Sequence, residues 1–98
     1  MNIVIGLGGH ALLRRDEEPT AANQLANIAR SARILASVAR DHSLLLTHGN
    51  GPQIGLLALR EAAVAPDAAQ PLDVLGAQTE GLIGHLLAQE FRTHVRGV

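Results

Sequence analysis

Two glycine-rich turns contain the residues of this sequence best suited to binding chemistry. Each turn follows a short apolar run, and the candidate binding residues in the two turns are Gly8, Gly9, His10, Gly49, Asn50 and Gly51. Glycine lets the backbone approach a ligand closely and direct its N–H groups at an anion. If the apolar runs are neighbouring parallel strands, both turns lie at the carboxyl edge of one sheet. The pattern therefore predicts an anion site at that edge.

The elements that must position these turns are two strands and a long helix. Residues 2–7 and 43–47 are predicted to be strands, and their uninterrupted apolar runs favour coverage on both faces. Thr20 is expected to cap a helix over residues 21–41, where apolar residues recur at helical spacing. A strand–helix–strand order predicts a parallel pair joined by a right-handed crossover.

Further helices are predicted after the second turn. Pro52 suits the first turn of a helix that runs to about residue 63. Residues 64–70 are expected to form a surface loop. Residues 8–18 are also expected to form a loop, whose charged part, residues 14–18, is solvated. The last helix is predicted over residues 72–92, with interior glycines at Gly76, Gly81 and Gly84. Each such glycine costs about 1 kcal/mol relative to alanine, so we expect close packing there, against a neighbouring element or a second subunit.

The whole chain is predicted to be one partial domain, residues 1–98, of the α/β class, with a parallel βαβ core and further helices. Two strands are fewer than a doubly wound domain normally contains. The net charge of −1 gives no electrostatic ground for binding nucleic acid or an anionic membrane. No apolar run approaches the roughly 20 residues that span a bilayer. With no basic, apolar leader, we expect a cytoplasmic protein.

Residue types also limit the chemistry of the first turn. There is no cysteine, and the histidines lack paired ligand spacing, so no metal site is predicted. The chain has no lysine, which excludes a P-loop. Gly6, Gly8 and Ala11 fit a dinucleotide fingerprint, but the second strand ends at Thr47-His48 without the carboxylate that binds ribose. The glycines could also serve only to make tight turns.

Four segments of the chain resemble the carbamate kinases of the amino acid kinase family. They are residues 3–13, 19–24, 47–59 and 71–84, which follow the family's order and spacing. The resemblance implies an αβα sandwich that transfers phosphate between ATP and carbamate, or between carbamoyl phosphate and ADP, with Mg²⁺. It implies that Gly8 and Gly9 hold the transferred phosphate and that Gly49, Asn50 and Gly51 line the carbamate side. A homodimer is implied for the full-length family.

The chain departs from the family in two respects. His10 stands where the family has asparagine, which is expected to perturb the phosphate site. Family members are far longer, and their catalytic lysines, a key acidic residue and the nucleotide-binding half lie beyond residue 98. Catalytic residues are therefore unassigned here, and we expect the isolated chain to be inactive and to hold no cofactor tightly. The alternative is a non-catalytic anion-binding or subunit-interaction remnant.

Overall fold

A computed structural model describes all of residues 1–98. The elements in chain order are β1 (Asn2–Leu7), α1 (Gly9–Leu12), α2 (Ala21–Asp41), β2 (Ser43–His48), α3 (Gly51–Val64), α4 (Leu72–Thr79) and α5 (Leu82–Arg92). The two strands pair in parallel, with Asn2 opposite Ser43 and Leu7 opposite His48. The predicted parallel strand–helix–strand unit is therefore confirmed.

The long helix α2 forms because a capping residue and a continuous apolar stripe coincide. The Thr20 hydroxyl accepts a hydrogen bond from the Asn23 N–H at 3.1 Å, so the predicted N-cap is confirmed. Ile28, Ala32 and Ala36 recur at helical spacing and are fully buried. Their small average size allows α2 to pack closely, and its main helical partner is α5.

The hydrophobic core lies between these helices on one face of the sheet. Its buried members are Leu12, Ile28, Ala32, Ile83, Leu87 and Phe91. Leu7, Leu44 and Leu46 of the strands pack against this cluster and are partly buried. Phe91 is the only aromatic residue of the chain, so aliphatic side chains do most of the packing.

The other face of the sheet is open, which corrects the expectation that both faces of the strands are covered. Exposure alternates along β1 and β2. Val4 and Leu45, which are register partners, are 67% and 62% exposed. The physical reason is that the helices of this chain pack on one side of the pair and provide no second layer.

The structure also corrects two predicted boundaries. The single helix expected over residues 72–92 is two helices, α4 and α5, interrupted at Glu80 and Gly81. Part of the loop predicted for residues 8–18 forms the short helix α1. The predicted place of Pro52 in the first turn of α3 is confirmed. None of the helices is both long and apolar enough to cross a membrane.

The interior glycines of α4 and α5 make ordinary contacts. A Cβ added at Gly76 would lie 3.9 Å from Ile54 Cδ1, and one at Gly84 would lie 3.7 Å from His48 Nε2. A Cβ at Gly81 would meet nothing within 4 Å. Gly76 and Gly84 therefore pack against α3 and β2, as predicted, but only side-chain atoms approach them, at van der Waals distance. Close approach of another backbone is not seen, and a subunit contact at these glycines stays a prediction.

Candidate functional site

The register of the sheet brings the two glycine turns to the same edge. Leu7 and His48 are the last paired residues of β1 and β2. The next residues, Gly8 and Gly49, therefore leave the sheet side by side at its carboxyl edge. The adjacency predicted from the sequence is confirmed.

The first turn offers backbone donors from the start of α1. Gly8 is extended, with φ −77° and ψ 167°, and no side chain caps the helix. Gly9 and His10 occupy the first two helical positions, where an N–H has no acceptor within the helix. The first bonded amide is that of Ala11, which donates to Gly8 O at 3.1 Å. Since Gly8, Gly9 and His10 are exposed, the two free N–H groups can meet a ligand.

The second turn leads directly into α3. Asn50 precedes the helix, yet its side chain does not cap it. Pro52 has no N–H, and the first bonded amide is that of Ile54, which donates to Asn50 O at 3.0 Å. The N–H groups of Gly51 and Gln53 consequently lack partners within the helix. The Asn50 carboxamide instead reaches across to α4, where its Nδ2 donates to Thr79 Oγ1 at 2.8 Å.

His48 orients the peptide group that joins Gly49 to Asn50. Its Nδ1 lies 2.9 Å from Gly49 O. A carbonyl oxygen only accepts, so Nδ1 carries the proton in this contact. In a planar trans peptide the C=O and the following N–H point in opposite directions, and the chain has no cis peptides. The Asn50 N–H is therefore directed away from the imidazole.

The site offers amide donors and no acidic side chain. None of the six candidate residues is a carboxylate or a lysine. No group of three or more His, Cys, Asp or Glu side chains is arranged to hold a metal ion. Because Mg²⁺ prefers carboxylate and other oxygen ligands, the candidate residues do not fit this metal. Amide N–H groups, by contrast, suit an anion.

The candidate residues lie on an open edge rather than inside a cavity. Two cavities flank the second turn, of about 440 Å³ and 570 Å³. Thr79 and Gln53 line the first, while His48 and Gly84 line the second. Neither cavity is lined by a glycine of the two turns. Gln53 is 8% exposed and its buried Oε1 has no hydrogen-bond partner.

Asn27 holds the end of α1, the short helix that follows the first turn, and the sequence did not predict this role. It is 2% exposed, and its Nδ2 donates to Leu12 O at 3.3 Å and to Glu17 Oε1 at 2.8 Å. Arg30 in turn donates to Asn27 Oδ1. This amide therefore ties the end of α1 and the following segment to α2. A polar residue beside the apolar stripe of α2 was the available signal.

Glu17 connects the charged segment to the same amide. Besides the Asn27 contact, its Oε1 accepts from the Arg14 N–H at 3.0 Å. These two hydrogen bonds, that of Asn27 first, hold the pKa of Glu17 below its ordinary value because they favour the charged carboxylate. The segment was expected to be solvated and is largely exposed, but Glu17 fixes it locally.

Thr79 is the second residue that sequence reasoning missed. It ends α4, is 8% exposed, and its hydroxyl lies 3.0 Å from Leu75 O and 3.1 Å from Gly76 O. It also accepts the hydrogen bond from Asn50. The signal in the sequence was its place within the segment 71–84 that carries the family resemblance.

Fold and site together define the class of this chain as an incomplete α/β fold of the amino acid kinase type. The structure superposes on carbamate kinase from Giardia lamblia bound to AMP-PNP with a TM-score of 0.85 and 33% identity, over 94% of this chain and 33% of that one. A second solved structure, from Aeropyrum pernix K1, gives a TM-score of 0.86 at 34% identity, over 98% of this chain and 31% of that one.

Curated sequences identify the particular protein to which the chain is similar: an amino-terminal portion of carbamate kinase. Carbamate kinase of Rhizobium meliloti is 54% identical over 92% of this chain and 28% of the relative. That of Thermococcus kodakarensis is 40% identical over 96% of this chain and 31% of the relative. The chain thus spans less than a third of the length of these curated relatives. No protein-family model matches it.

Proposed function

We propose that this chain forms the substrate-side portion of a carbamate kinase, which transfers a phosphoryl group between ATP or ADP and carbamate or carbamoyl phosphate. The observation that carries the proposal is the adjacency of the two glycine turns, with free N–H groups, at the carboxyl edge of the sheet. Gly8, Gly9 and His10 would bind the phosphate. Gly49, Asn50 and Gly51 would line the carbamate side.

The backbone of the turns supports ligand binding over a purely structural reason for the glycines. Gly97 is the only residue with positive φ, so none of the turn glycines is needed for a left-handed conformation. A Cβ added at Gly8, Gly9, Gly49 or Gly51 would meet nothing within 4 Å. The absent side chains therefore leave open space above the backbone, where an anion could approach the N–H groups.

Transfer of a phosphoryl group needs more than these residues supply. Lysines and Mg²⁺ normally neutralise the charge that develops on the transferred group, and the chain contains no lysine. The site also lacks carboxylates for the metal. We therefore propose that nucleotide, Mg²⁺ and the catalytic side chains are held by parts found in the longer relatives. The AMP-PNP complex of the Giardia enzyme supports nucleotide binding in that protein.

The binding half of the proposal is tested by titrating the ¹⁵N-labelled chain with carbamoyl phosphate. We expect shifts at the amides of Gly9, His10 and Gly51. Gly8→Ala should weaken binding about tenfold, since a methyl group there obstructs contacts worth about 1.4 kcal/mol. Gly55→Ala is the matched control, because its Cβ also meets nothing within 4 Å but lies within α3. Equal weakening by both variants would contradict the assignment.

The catalytic half predicts that the isolated 98-residue chain makes no ATP from carbamoyl phosphate and ADP. The physical reason is the missing positive charge at the transferred phosphate. A coupled assay for ATP with the purified chain measures it, with a full-length carbamate kinase as the positive control. Turnover by the chain alone would overturn this part of the proposal.

The second candidate function is a non-catalytic anion-binding or subunit-interaction remnant. It is favoured by the open face of the sheet, where the register partners Val4 and Leu45 leave apolar side chains exposed. Contiguous apolar surface usually marks an interaction site. A discrete oligomer that unfolds cooperatively would support this candidate. Non-specific aggregation would support an incomplete domain.

A further inference from the structure

We propose that Thr79 is a positioning residue that fixes the orientation of the Asn50 carboxamide and so presents its oxygen to an amino group on the ligand. The inference rests on the proposed function, because Asn50 belongs to the proposed carbamate side of the site. It adds a reason for selecting a carbamoyl group over an acyl group of the same shape.

The Thr79 hydroxyl has a single proton, and its hydrogen bonds determine what else Thr79 Oγ1 can bind. Thr79 Oγ1 lies 3.0 Å from Leu75 O and 3.1 Å from Gly76 O, and both carbonyls can only accept. The hydroxyl proton is therefore committed to the backbone of its own helix. Thr79 Oγ1 can therefore only accept a further hydrogen bond. Its position is restricted because the side chain is 8% exposed.

Because its own proton is used, Thr79 Oγ1 can only accept a hydrogen bond from Asn50. Asn50 approaches the same oxygen at 2.8 Å, so the contacting atom must be a donor. Only the amide nitrogen of Asn50 can donate, which settles the orientation of a group whose two ends are otherwise interchangeable. The Asn50 oxygen accepts no hydrogen bond from the protein and stays available to a ligand.

The Asn50 carboxamide oxygen, held in a fixed orientation, selects ligands that carry a hydrogen-bond donor. Carbamate and carbamoyl phosphate carry an amino group, which can donate to a carboxamide oxygen. Acetyl phosphate has a methyl group in the same place and cannot. A site with a fixed acceptor disfavours the analogue that leaves it unpaired. Because Asn50 is only half-buried, we expect a preference of about tenfold rather than the far larger ratios of enclosed sites.

The experiment compares carbamoyl phosphate, acetyl phosphate and inorganic phosphate in NMR titrations of the full chain. Thr79→Val removes the acceptor at nearly constant shape, while Thr79→Ser keeps it. Thr93→Val is the matched control, since Thr93 Oγ1 donates to Glu90 O at 2.7 Å in the same i−3 pattern but contacts no turn. We expect the tenfold preference in wild type, Thr79→Ser and Thr93→Val, and its loss in Thr79→Val, with phosphate affinity unchanged within about twofold.

Hydrogen exchange at the Asn50 side-chain amide provides a readout that needs no ligand. We expect slow exchange of the Asn50 side-chain amide in wild type and in Thr79→Ser. This measurement therefore tests the Asn50–Thr79 hydrogen bond even if Thr79→Val fails to fold. Absence of protection overturns the inference, as does a preference that survives in Thr79→Val. If wild type binds carbamoyl phosphate without preference, the inference fails while the proposed function stands. If wild type binds none of the three anions, the proposed site fails and Thr79 has no ligand role.

Discussion

At the residue scale, the residues of the candidate site orient one another through hydrogen bonds. His48 fixes the Gly49 carbonyl from one side, and Thr79 fixes the Asn50 side chain from the other. The turn between them is thereby held at two points. Such preorganisation lowers the entropy that a ligand must remove when it binds.

A prediction at the residue scale concerns the pH dependence of the segment behind the first turn. The pKa of Glu17 is lowered in the folded chain, so its contribution to stability is present above the unfolded pKa. It is lost as the pH falls through the lowered pKa. Asn27→Ala should raise the pKa of Glu17 toward its ordinary value, because the largest of the favourable contacts is removed. A ¹³C NMR titration of the Glu17 carboxyl measures both values.

The control for that experiment is Asn23→Ala, which removes another asparagine side chain of α2. The Asn23 amide donates to Glu18 O and not to Glu17, so this variant should leave the pKa of Glu17 lowered. An unchanged Glu17 midpoint in Asn27→Ala would mean that the hydrogen bond does not stabilise the carboxylate.

The sequence predicted the glycines of the site but not the residues that hold them. Glycine clusters after apolar runs are local signals and could be recognised without a fold. Asn50 and Thr79 are 29 residues apart in sequence, and Asn27 and Leu12 are 15 apart. Such pairs exist only after helices have packed, so no local pattern of residues could indicate them.

At the element scale, the sequence predicted which segments are helices better than where the helices end. The apolar spacing of residues 72–92 is continuous, and it predicted one helix. The break at Glu80 and Gly81 arises where Thr79 turns its hydroxyl back to the carbonyls of α4 and its oxygen toward Asn50. A side chain that competes for backbone carbonyls favours such an interruption. Glu80 and Gly81 nevertheless keep right-handed helical backbone angles, so the break is slight.

A prediction at the element scale follows from the contacts of Gly84. Alanine there would place its Cβ 3.7 Å from His48 Nε2, an ordinary contact, within the interior of α5. Gly84→Ala should therefore raise the free energy of unfolding by about 0.5–1 kcal/mol through lower backbone entropy in the unfolded state. Urea denaturation followed by circular dichroism measures the change.

Gly81→Ala is the comparison for that substitution, since Gly81 lies outside the helix at the N-cap of α5. It should change stability less than Gly84→Ala. Destabilisation by Gly84→Ala would show that the contact with His48 is tighter than an ordinary one and that α5 cannot yield.

At the scale of the whole molecule, the chain builds one side of a layered domain. A parallel sheet is normally covered by helices on both faces, and this sheet is covered on one. The count of only two strands predicted that the domain is incomplete. The uninterrupted apolar runs of these strands are typical of a sheet that is covered on both faces. The open face carries Asn2, Gly6, Ser43 and Thr47 beside Val4 and Leu45. The sequence did not predict which face stays open, because the apolar runs 3–5 and 44–46 obscure this alternation.

A prediction at this scale concerns the open face. Val4 and Leu45 lie opposite each other in the register and are both more than half exposed. The double variant Val4→Thr with Leu45→Thr should reduce self-association, because it removes apolar surface while threonine, which is β-branched, suits both strands. Light scattering coupled to size exclusion measures the mass distribution. Leu59→Gln, a similar change on α3, should have a smaller effect; an equal effect would show that association does not use the sheet.

The pairing of β1 with β2 also decides the order in which this chain can fold. β1 has no partner other than β2, and Asn2 cannot pair until Ser43 is present. The intervening α2 must therefore shorten the loop before the strands meet, since closing a long unstructured loop is entropically costly. We therefore expect α2 to form before β1 and β2 pair.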